Sequence, residues 1–117
     1  MTLLPSGVKV HLAFGYTDMR KGVDGLTMLV QHVLQQDPFS GHLFVFRGRK
    51  ANILKIVFWD GTGLCLFTKR LERGGFPWPT SGEPGGTLAM TSAELSMLVD
   101  GIDWRAPEQR WRPAMAG

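Results

Sequence analysis

In HLFVFRGRKANILKIVFWDGTGLCLFTKRL, residues 42–71, three apolar runs are separated by two short polar links. The runs are HLFVFR from His42, NILKIVFW from Asn52 and LCLFTKRL from Leu64, and their β-branched and aromatic content reads as strands. The links are GRKA, Gly48 to Ala51, and DGTG, Asp60 to Gly63, too short to join anything but antiparallel neighbours. Leu43 and Val45 lie opposite Phe44 and Phe46 in the pleat, and Leu54, Ile56 and Phe58 lie opposite Val57 and Trp59. The middle strands are thus apolar on both faces, and one helix cannot cover both.

Upstream, Val8, Val10, Leu12 and Phe14 alternate with Lys9, His11 and Ala13, the period of a strand with one face buried. Leu26, Leu29, Val30, Val33 and Leu34 then trace one apolar stripe, which predicts a helix from about Asp24 to Gln36 that Asp37-Pro38 ends. Downstream, the proline- and glycine-rich stretch from Gly74 to Gly86 reads as a long loop, and TLAM after it as a short edge strand. Thr91 and Glu94 fit a capping box opening a second, short helix through Leu95, Leu98 and Val99, which Gly101 stops. The expected fold is α+β: a mixed, mostly antiparallel sheet of 4–5 strands in the order β-α-β-β-β-(β)-α, with one long helix on one face. One domain spans 1–117, its core at about 8–105 and a tail, 106–117, expected to be mobile for lack of periodicity.

A chain of 117 residues is long enough to bury roughly two thirds of its unfolded surface without staples. Its composition, 44% hydrophobic and 20% charged, contains no apolar run near the ~18 residues of a membrane span. MTLLPSG lacks the basic and apolar segments of a secretory signal, so a cytoplasmic location with no membrane partner is expected. Cys65, the one cysteine, stands between Leu64 and Leu66 and reads as a buried apolar group. His11, His32 and His42 have no ligand spacing, and neither metal nor cofactor is expected.

If the first strand, the helix and the second strand form a right-handed crossover, three basic segments must share one end of the sheet. They carry Arg20 and Lys21, then Arg47, Arg49 and Lys50, then Lys69, Arg70 and Arg73: eight of the 13 lysines and arginines. Only Asp18 and Glu72 oppose them there, which leaves +6, whereas the other five cations and eight acids make −3. A total of +3 is unremarkable, but a cationic edge of this kind suits phosphates, whose neutralisation releases condensed counterions. Arg20 and Lys21 read equally as nucleic-acid contacts or as a solvated loop pairing with Asp18, and Asp24 is placed to cap the helix amides in competition with an anion. RGRK reads as a hairpin tip able to enter a groove or as a polar turn, and KRLERG taken alone as a charged strand end.

Trp59 reads as core, while Phe76-Pro77-Trp78-Pro79 either clamps its loop onto the domain or offers a partner surface. No nucleophile stands with a base, and no phosphate loop has the required glycine spacing, so the protein is not expected to be an enzyme. Asp18, Asp60 and Asp103 make a poor metal-dependent nuclease, because Asp60 falls at the opposite sheet end from Asp18.

GYTDMRKGVDGL, DPFSGHLFVFRGRK, FWDGTGLCLFTKRLERGGFPWP and GIDWR resemble, in that order, the small accessory protein of the insertion-sequence sixty-six transposon family, the second-frame product often called TnpB. The resemblance runs from about Val8 to Arg105 and implies a bacterial mobile-element protein acting beside a separate transposase that carries the catalytic acids. Departures are RKAN in place of an Arg-Gly-Asp-Arg-like turn and Thr68 where a tyrosine is common; if that tyrosine stacks on a base, this chain lacks the contact. Two readings follow. One is a helper that binds DNA at transposon ends through the basic edge; the other is a module that docks the transposase or itself, as a homo-oligomer, through the sheet face left bare by the long helix.

Overall fold

A computed structural model describes residues 7–105. Five strands, β1 (Val10–Ala13), β2 (Leu43–Arg47), β3 (Ile53–Trp59), β4 (Leu64–Arg70) and β5 (Thr87–Met90), form one sheet in the spatial order β4-β3-β2-β1-β5. β1 and β2 are parallel, and the other three neighbouring pairs are antiparallel. The parallel pair requires a crossover, supplied by a helical segment that begins as α1 (Val23–Met28) and widens into a π-helical turn at Leu29–Val33; α2 (Ser92–Val99) follows β5. The tail expected to be mobile, 106–117, lies outside the described residues.

The single long helix of the sequence reading is corrected to this two-part segment. Leu34 N–H donates to the Leu29 carbonyl five residues back and Gln36 N–H to the Val30 carbonyl six back, both at 2.9 Å, and Gln35 closes the segment at φ 53°. A wider turn rotates each residue less than an α-turn does, so positions four apart come nearly into line. Leu26, Val30 and Leu34 are accordingly buried, while Val33, expected in the apolar stripe, is 50% exposed. Each full burial of such a side chain is worth roughly 1.5–3 kcal/mol, enough to hold the short segment on the sheet.

The second sheet face is not bare. On the first face Leu26, Val30 and Leu34 pack with Ala13, Phe44, Phe46 and Val57. On the other, Leu95, Leu98 and Val99 of α2 join Phe76, Trp78 and Trp104 over the inward side chains of β1, β2 and β3. This covering removes the surface on which the docking reading depended. It also decides between the roles left open for the Phe76-Trp78 segment, which is a clamp: Trp78 Nε1–H donates to the Ala13 carbonyl and Trp104 Nε1–H to the Pro77 carbonyl, each at 2.9 Å.

α2 is bounded as its sequence demands. Glu94 N–H donates to Thr91 Oγ1 at 3.1 Å and Thr91 N–H to Glu94 Oε1 at 2.9 Å, the reciprocal capping box. At its end Gly101, φ 75°, donates to the Leu98 carbonyl and Ile102 to that of Met97, a left-handed stop that glycine adopts without strain. No helix among the described residues is long and apolar enough to cross a membrane.

Two residues expected in the core sit at its margin. Trp59 is half-buried, its ring edge-to-face with that of the exposed Phe39 at 5.4 Å. Cys65 is half-buried because it lies on the outermost strand, and its thiol donates to Asp60 Oδ2 at 3.3 Å. That acceptor, with partial burial, pushes the thiol pKa up.

Candidate nucleic-acid interface

Strand direction alone brings the loop after β1, the β2–β3 turn and the end of β4 to one end of the sheet. Backbone hydrogen bonds fasten them there: Thr17 N–H to the Arg47 carbonyl at 2.9 Å, Leu71 N–H to that of Asn52 at 2.8 Å, and Phe76 N–H to that of Ala51 at 2.7 Å. Gly48 permits a close approach there, since the Met19 side chain lies 2.5 Å from where a β-carbon would stand.

Side-chain direction then sorts the eight cations. Arg49, Lys50, Arg70 and Arg73 are exposed, and Arg70 has only a long 3.9 Å contact with Glu72 across open solvent, which is worth little. Lys21 is half-buried at the edge of a cavity. Arg20 is exposed but engaged: its Nε and Nη2 donate to Asp18 at 3.0 and 2.8 Å. These bonds hold the Asp18 carboxyl well below the usual carboxylate range.

Arg47 and Lys69 do not join the rim. Both fall on the strand positions that face α2 rather than α1. Arg47 Nη1 donates to the Phe76 carbonyl at 3.0 Å, and its guanidinium lies over the Trp78 ring, 5.1 Å from the centroid. Burial, then the nearby Arg105, push its pKa down. Lys69 Nζ donates to the Val99 carbonyl at 2.7 Å, placing a cation at the C-terminal end of α2. The Asp24 cap is absent as well: Gly22 occupies the cap position, no side chain caps the amides, and Asp24 stands inside the first turn.

Two cavities flank the loop after β1, and Tyr16, Thr17 and Asp18 line both. One, about 400 Å³, is bordered by Arg49, Lys50 and Asn52; the other, about 430 Å³, is walled by Leu29, Val33 and Phe46 with Lys21 at its edge. Tyr16 stands between them, 63% exposed, with Arg49 Cζ 5.6 Å from its ring centroid. Sequence reasoning passed over it. The available signal was that the chain's one tyrosine follows a glycine in a basic loop.

The three aspartates considered for metal chemistry are separately engaged. Asp18 bonds Arg20, Asp60 accepts from the Thr62 and Gly63 amides at the other end of the sheet, and Asp103 pairs with Arg105. Among the described residues no group of three or more His, Cys, Asp or Glu is placed to hold a metal.

A small mixed sheet covered on both faces, with cations gathered at one end, defines the class as a compact α+β protein with a polarised rim. Residues 8–109 match the family of IS66 Orf2 like proteins, and the chain belongs to that family, the accessory proteins of this insertion-sequence class. It is similar to the uncharacterized protein y4hO of Sinorhizobium fredii (strain NBRC 101917 / NGR234), 52% identical over 98% of this chain and 100% of the relative. A second protein of that strain, the uncharacterized y4jC, is 41% identical over 84% of this chain and 82% of its own length. No solved structure matches the chain.

Proposed function

We propose that the protein is a non-catalytic helper of transposition that holds DNA at the ends of its element while a separate transposase supplies the chemistry. The observation that carries this reading is the meeting of Arg49, Lys50, Arg70 and Arg73 at one sheet end, exposed and opposed nearby, among the described residues, by Glu72 and by an Asp18 already paired with Arg20, with Lys21 across the loop after β1. A rim of unneutralised cations displaces counterions from a phosphate backbone whatever its sequence, which suits a protein that must hold ends until the transposase acts. Docking to the transposase through a free sheet face has no such support, because α2 and the Phe76-Trp78 clamp occupy that face.

The test is a titration against the terminal-repeat duplex and a scrambled duplex at several salt concentrations. Four or five phosphate contacts give a log-log slope of roughly −4 to −5. A flat response, or binding unchanged when Arg49, Lys50 and Arg70 are all reversed to glutamate, defeats the proposal.

A further inference from the structure

Resting on the reading of the rim as a DNA surface, we infer that it takes DNA as a single strand: one unstacked base sits against Tyr16 at the mouth of the 430 Å³ cavity, and flanking phosphates lie on Arg49 and Lys50 in the neighbouring groove.

Three observations lead there. Tyr16 is the most exposed large apolar side chain among the described residues, so its ring is not core material, and an aromatic left in water at a cationic edge fits a stacking platform. The guanidinium of Arg49 already lies over the ring, which pairs a phosphate-seeking charge with the platform itself. The cavity beyond is apolar in its walls and ionic at its rim, the division that admits a flat heterocycle while keeping its sugar and phosphate in water.

The helical irregularity bears on the same place. By turning Val33 outward, the π-helical turn adds an apolar surface to the cavity instead of to the core, and such turns recur at functional sites. Across from it, Gly82 packs directly on the Phe14 ring, so the far wall is fixed against β1 and is not a loose loop. Asp18 shares the rim, but its two oxygens are taken up by Arg20, which tempers its repulsion of a strand. A duplex cannot use this arrangement, because its base faces are already stacked on one another.

The experiment follows fluorescence anisotropy of a labelled mixed-sequence oligonucleotide, offered as a single strand and as its duplex at one low salt concentration. Wild type should prefer the strand. Tyr16→Ala should weaken strand binding about tenfold while moving duplex binding less than about twofold, Tyr16→Phe should keep strand affinity within about twofold, and Arg49→Ala should weaken both forms. Tyr16 is exposed, so a thermal melt should find Tyr16→Ala folded like wild type. Equal losses on strand and duplex, or a wild-type preference for duplex, overturn the single-strand assignment while leaving the rim a DNA surface. Absence of binding by either form overturns both.

Discussion

Arg47 and Arg49 stand two residues apart in one hairpin, yet one is half-buried against Trp78 and the other exposed, and exchanging each for methionine tests the proposed division between stability and DNA binding. Arg47→Met removes a charge-assisted hydrogen bond to the Phe76 carbonyl, worth about 1.5–3 kcal/mol, and a cation–π contact with Trp78 worth about 1–2 kcal/mol. Against this, the native guanidinium is half-buried with Nε unpartnered, a penalty of about 1–3 kcal/mol that the variant escapes, and methionine keeps the apolar stem. The net expected loss is about 1–2 kcal/mol, or roughly 5–10 °C in Tm for a domain of this size. Arg49→Met is exposed and should leave Tm within about 1 °C while making the salt slope of DNA binding shallower by roughly 0.9. Urea melts and anisotropy titrations on both variants read the two effects independently. If Arg47→Met flattens the salt slope and spares stability, the sorting of cations by sheet face is wrong.

Lys69→Met should cost about 1 kcal/mol in urea unfolding, because it leaves the end of α2 without its cation, and should not alter the salt slope; a slope change places Lys69 on the rim after all. Asp18 titrates below the usual carboxylate range through its bonds to Arg20, so its contribution to stability is present above the ordinary carboxylate pKa and lost only as pH falls through the depressed value; a carboxyl-carbon NMR titration with an ordinary midpoint contradicts the pairing. Ala51, held at φ 67° in the β2–β3 turn, should accept glycine with a gain of up to about 1 kcal/mol, and a loss on thermal melting shows that the left-handed geometry carries no strain. Asp60→Asn should speed modification of Cys65 by a thiol reagent at mildly alkaline pH, since it removes the carboxylate that raises the thiol pKa; an unchanged rate means the two groups do not interact.

The strands and the ends of α2 were legible because their causes are local: alternation, short glycine links, a threonine three residues before a glutamate, a glycine after the last apolar position. The π-helical turn was not, because Leu26, Val30 and Leu34 belong equally to an α-helical stripe and to a wider one, and only Val33 distinguishes them once the packing is known. For the basic rim, strand order fixes which segments meet, but whether a cation points to solvent depends on which face its position takes. The parity of β2 and β4 would have put Arg47 with Val45, and Lys69 with Phe67, on the face opposite Phe46 and Arg70. What that face held was beyond local pattern, since the residues covering it, Phe76, Trp78 and Trp104, come from a loop and a late segment with no periodicity.

Those late residues bear on how the chain is made. Trp104 and Arg105 donate to the carbonyls of Pro77 and Trp78, so the last described residues latch a strap laid down some 27 positions earlier. A nascent chain emerging from the ribosome can pair β2, β3 and β4 early, but the α2 side must wait for its fastening until Trp104 and Arg105 have emerged. Until then Phe76 and Trp78 are available to chaperones, and a stop codon just ahead of Trp104 exposes the same surface for good.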